Sequence, residues 1–95
     1  MAYVRLSIVV PSKGKVEQVE SVMRKIAEAA KAHSGCTQSY LMRAHDSTGE
    51  VARVAVYSDE AAADRAAQDG HVMALRSELH LLIEPGHTER GFSTI

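Results

Sequence analysis

Residues 57–79, YSDEAAADRAAQDGHVMALRSEL, begin as alanine-rich helix, stop at Asp69-Gly70 and restart at His71. Glycine inside a helix costs about 1 kcal/mol against alanine, so a break there followed by a new helix start is the cheaper arrangement. His71 then stands in the first turn, where the positive end of the helix dipole disfavours imidazolium. A neutral imidazole can accept a proton, donate a hydrogen bond or bind a metal. As a base it suits removal of a proton from a phenol or an acidic C–H. The alternative is a histidine that only fills the crease between two helical segments.

Other side chains could share that chemistry. Tyr40 and Tyr57 could hydrogen-bond a phenolic or quinone oxygen, although buried tyrosines also do this for structure. Arg5 and Arg53 could hold a carboxylate or an enolate, with Ser7 on the same strand face as Arg5. His33, His45, His80 and His87 read as surface or helix-end residues. Cys36 reads as a small apolar residue, because no histidine is implied beside it. Met23, Met42 and Met73 read as core or interface filler. The sequence has no glycine-rich phosphate loop, no HExxH and no paired-cysteine spacing, so no metal site is expected.

These residues need a scaffold. AYVRLSIVV alternates, with Val4, Leu6, Ile8 and Val10 on one face and Tyr3, Arg5, Ser7 and Val9 on the other. Pro11 ends that strand. Val16, Val19, Met23, Ile26 and Ala30 form one apolar stripe over a helix at 15–33, and Gly35 suits its left-handed cap. CTQSYLMRAH reads as a second strand and EVARVAVY as a third, joined by the turn Asp46-Ser47-Thr48-Gly49. Ser58 reads as the N-cap of a helix running from 59 to about 68. A second segment from 70 to 82 carries the stripe Val72, Leu75, Leu79, Leu82, and Pro85-Gly86 stops it. HTERGFSTI is a weak final strand. The order is β-α-β-β-α-β, an α+β ferredoxin-like arrangement of a four-stranded antiparallel sheet with its helices on one face.

In that arrangement Val4, Leu6, Ile8, Val10, Ala52, Val54 and Val56 are expected beneath the helices. Tyr3, Arg5, Ser7, Arg53 and Tyr57 are then expected on the open face, as a solvated surface, a pocket wall, or a face covered by a second copy.

Ninety-five residues make one domain, expected to span 1–95. The chain is 45% hydrophobic and 24% charged with a net charge of -1, which excludes intrinsic disorder and gives no basic stripe for nucleic acid. No apolar run approaches the roughly 18 residues of a membrane span, and no secretory leader is evident. One cysteine forms no internal disulfide and fits a reducing cytoplasm.

The element order, the size and the stretches HSGCTQSY, VAVYSDEAA and DGHVMALRSEL resemble the dimeric α/β-barrel superfamily, in its antibiotic biosynthesis monooxygenase branch. The resemblance implies a homodimer closed sheet to sheet, with a small-molecule cavity in each subunit. It implies oxidation of an aromatic or polyketide-like compound without flavin or metal, with His71 as base. Related chemistries on the same scaffold are isomerisation or cyclisation and haem binding or degradation, with His71 as iron ligand in the last. A dimeric binding module without catalysis is the remaining alternative. The sequence departs from the oxygenase pattern: it has no Trp and no Asn, and Tyr57, Ala55 and Ala66 stand where many members carry Trp, Glu and a further His.

Overall fold

The short polar–apolar alternations fold as strands, and the longer three-four spacings fold as helices. The computed structural model describes all residues from Met1 to Ile95. Its elements are β1 (Tyr3–Val9), α1 (Val16–Lys31), β2 (Cys36–Arg43), β3 (Val51–Tyr57), α2 (Glu60–Ala67), α3 (Gly70–His80) and β4 (Thr88–Ser93). The strands form one antiparallel sheet in the order β2-β3-β1-β4, the ferredoxin-like topology.

The break before His71 is present. Asp69 caps α3, accepting from the backbone N–H of His71 at 2.8 Å and of Val72 at 3.2 Å. Its other oxygen meets His33 Nε2 at 2.9 Å, which ties the end of α1 to the head of α3. Those contacts hold the Asp69 carboxyl below its ordinary pKa, the Val72 N–H first among them.

At α2 the cap is Asp59 rather than Ser58: the Asp59 side chain accepts from Ala62 N at 2.8 Å. Ser58 is still committed to the sheet end, where its N–H donates to Gly35 O at 2.8 Å. Gly35 has φ +94°, and a Cβ there would come within 2.7 Å of the Ala62 Cβ, so the closeness of α2 to this turn requires glycine.

The largest difference from expectation is which sheet face the helices cover. Register pairs Tyr3 with Tyr57, Arg5 with Ala55, Ser7 with Arg53 and Val9 with Val51. Ser7, Val9, Val51, Ala55 and Tyr57 of this set are buried, beneath the helices. Val4, Leu6, Ile8, Ala52, Val54 and Val56 therefore point to the opposite face. Alternation fixes that two faces differ, but it does not say which one receives the helices. The expectation gave the helices the more apolar face. In the fold the helices take the mixed face, whose polar side chains gather around a cavity.

The helix-covered side holds two cores. Val9, Val19, Val22, Met23, Ile26, Val51, Val72, Leu75 and Leu79 pack together between α1, α3 and the sheet. Val16 lies outside that core, half exposed, and Val22 takes its place in the stripe. A smaller cluster under α2 joins Ala55, Tyr57, Ala62, Ala63 and Ala66, with Tyr3 and Cys36 against it.

Candidate functional site

A cavity of ≈ 290 Å³ opens between the sheet and the α2–α3 region. Its sheet wall includes Tyr3, Arg5 and Ser7 of β1, Arg53 and Tyr57 of β3, and Glu89 and Gly91 of β4. Ala63, Ala66 and Ala67 of α2 and Val72 and Arg76 of α3 form the helix wall. Alanine explains why there is space: α2 crosses this end of the sheet with side chains too short to fill it. Gly91 explains how Tyr3 fits, since a Cβ at that position would fall onto the Tyr3 phenol.

The polar groups are held by one another. Arg5 Nη2 donates to Asp64 Oδ1 at 2.9 Å, and its guanidinium carbon lies 5.4 Å from the centre of the Tyr3 ring. The Ser7 hydroxyl donates to Glu89 Oε1 at 3.0 Å, while the other Glu89 oxygen takes Arg76 Nη2. Tyr57 is buried, and that burial pushes its phenol above the ordinary tyrosine pKa; the nearby Arg53 charge pulls the other way without cancelling it. Arg53 is half-buried, stands near the Tyr57 phenol and has no ion-pair partner. Its Nη1 and the Nε of Arg5 are both buried without an acceptor.

Of the residues singled out from sequence, Arg5, Ser7, Arg53 and Tyr57 meet at this cavity. His71 and Tyr40 do not line it. His71 is exposed at the head of α3. Tyr40 pairs with Val54 on the uncovered side of the sheet and is 53% exposed. Sequence reasoning missed Arg76 and Glu89 as site residues. Tyr3 was legible from its parity with Arg5 and Ser7. Arg76 and Glu89 were not, because they depend on how α3 and β4 fold back over the sheet. His80 and His87 lie ring to ring, with centroids 5.0 Å apart. No group of three His, Cys, Asp or Glu side chains converges to hold a metal ion.

Residues 1–78 match the family described as antibiotic biosynthesis monooxygenase. The chain belongs to this family. Among solved structures, Rv0793 from Mycobacterium tuberculosis superposes with a TM-score of 0.91 at 15% identity, covering 100% of this chain and 96% of that one. A conserved protein from Methanosarcina mazei Go1 gives 0.89 at 12%, covering 97% and 91%. SnoaB, a cofactor-independent oxygenase from Streptomyces nogalater, gives 0.82 at 20%, covering 99% and 92%. At such identities these likenesses speak for the fold alone. No curated protein sequence matches significantly. No helix is long and apolar enough to cross a membrane.

Proposed function

We propose that this member of the antibiotic biosynthesis monooxygenase family is an oxygenase that needs no cofactor and acts on an aromatic or polyketide-like compound in the α2–α3 cavity. The observation that carries the reading is the convergence of Tyr57, Tyr3, Arg5, Ser7 and Arg53 on one half-open cavity of ≈ 290 Å³. Small-molecule sites place fixed polar groups among apolar ones in a concave space, and this lining mixes the two. The oxygenase activity named for SnoaB, a structural neighbour, points the same way.

The chemistry begins with loss of a proton from a phenol. The electron-rich anion that results gives its electrons to dioxygen and takes one oxygen atom on carbon, the other leaving as water, so that an anthrone CH2 becomes C=O; the arginines stabilise the anion's negative oxygen. Glu89 is the one carboxylate on the lining and the group best placed to receive that proton. His71 is the other candidate, and it acts only on a substrate that reaches past the cavity mouth. A polarographic assay with naphthols and anthrones separates these readings. Oxygen consumption that falls at least about a hundredfold in Glu89→Gln, and holds in His71→Ala, supports the cavity site. The reverse pattern moves the base to His71. A product of unchanged mass with no oxygen consumed makes the protein an isomerase or cyclase instead.

The reading includes a second copy. Val4, Leu6, Ile8, Val54 and Val56 form an apolar face that no helix covers, and Phe92 joins it at the β4 edge. Two such faces closing on each other would hide both. Sedimentation of a lone chain at micromolar concentration would remove this part of the proposal.

A further inference from the structure

We propose that the cavity selects its ligand by a carboxylate, held by Arg53, on a flat body of one or two aromatic rings. The inference rests on the reading that this cavity receives the substrate, and it adds the chemical class. Four arginines line the cavity: Arg5 has Asp64 at 2.9 Å, Arg76 has Glu89, and Arg90, paired with Leu6 of the uncovered face, lies over the Phe92 ring with its guanidinium carbon 4.7 Å from the centre. Arg53 has no carboxylate. It stands mid-strand on β3, directly opposite Ser7, under the helices and half-buried. Its Nη1 is buried with no acceptor, and Arg5 Nε beside the same cavity is in the same condition.

A guanidinium nitrogen buried without an acceptor is unfavourable, and folding gains nothing from it. The arrangement makes sense when the missing acceptor arrives with a ligand. The planar fork of arginine fits a carboxylate through two parallel N–H···O bonds, so a carboxylate is the acceptor whose shape matches. The rest of the cavity describes the rest of the ligand. Ala63, Ala66 and Ala67 make a smooth wall facing the side that carries Tyr3 and Tyr57, and the volume of ≈ 290 Å³ lies at the small end for ligand sites. A flat ring system fits between such walls.

The test is calorimetric titration of the protein with 1-hydroxy-2-naphthoate, 1-naphthol and inorganic phosphate. The hydroxynaphthoate is expected to bind at least about tenfold more tightly than naphthol, and phosphate more weakly than either. High salt should weaken the hydroxynaphthoate and leave naphthol almost unchanged. Arg53→Gln should erase the preference for the carboxylate, and Arg53→Lys, which keeps the charge but not the fork, should restore part of it. Naphthol binding as well as the hydroxynaphthoate overturns the proposal. So does phosphate binding as well as the hydroxynaphthoate, no binding of the hydroxynaphthoate, or a preference that survives Arg53→Gln. Where Arg53→Gln fails to fold by circular dichroism, the three ligands and the salt series on the unaltered protein decide. Oxygen consumption is not read here. Naphthol that binds equally well and is oxidised removes this inference and leaves the oxygenase standing. Hydroxynaphthoate that binds tightly and is left untouched under oxygen does the opposite.

Discussion

The two ends of the helix-covered side are built from different materials. Beneath α1 and α3, valine, leucine, isoleucine and methionine side chains interdigitate, and Val19, Met23 and Val9 are almost wholly out of water. Beneath α2, alanines meet tyrosines and arginines around a cavity. The same sheet carries both. The difference lies in side-chain length on the covering helix: a helix of long apolar residues makes a dry core, and a helix of alanines at similar depth leaves a vessel. The dry end has the packing that stabilises the fold, and the other end has the space in which the proposed ligand would sit.

That division is open to attack from either side. The largest effect is expected from Ile26→Ala, which removes a buried branched side chain from the dry end. A loss of about 2–5 kcal/mol in urea denaturation is expected, with the naphthoate site keeping its affinity in whatever fraction stays folded. A loss below about 1 kcal/mol would mean that the α1–α3 core is not where the stability resides.

Ala67→Leu tests the other end. Leucine would extend into space that is already empty, so the cost should stay under about 1 kcal/mol, less than overpacking a filled core. Binding of 1-hydroxy-2-naphthoate should disappear in the same titration. Retained binding would show that the ligand lies elsewhere.

The smallest effect concerns the joint between the two ends. Asp69 binds the His71 and Val72 N–H groups and His33, and its pKa lies below the ordinary carboxylate value. A carboxylate with a folded-state pKa below the unfolded value of about 3.9 adds stability above that value. The contribution fades as the pH falls through the lower, folded-state pKa. Thermal midpoints should therefore drop below about pH 4, and Asp69→Asn should flatten that drop. An identical acid limb in the variant would place the sensitivity elsewhere.

Much of this was legible beforehand. Period-two and period-3.6 patterns gave every strand and helix in order, and Asp69-Gly70 marked the helix break because a capping side chain and a poor helix former adjoin there. Gly35 was legible as a turn. The covered face was not, since Val4-Leu6-Ile8 and Tyr3-Arg5-Ser7 are equally good alternations and only the third dimension chooses between them. The cap at Asp59 was hidden by the backbone bond that keeps Ser58 in the sheet. Four cavity residues, Arg5, Ser7, Arg53 and Tyr57, were legible as polar groups at matching parity. His71 was placed in its turn correctly, but where the first turn of α3 faces could not be read from local pattern.

The position of β1 has a consequence for how the molecule is made. It lies between β3 and β4, so its two edges find partners only after Val51–Tyr57 and then Thr88–Ser93 have been synthesised. A nascent chain paused before β4 leaves one flank of Val4, Leu6 and Ile8 open to a neighbouring polypeptide on the ribosome. Glu89 and Gly91 arrive on that same strand. The step that seals the growing sheet against aggregation is also the step that completes the cavity wall.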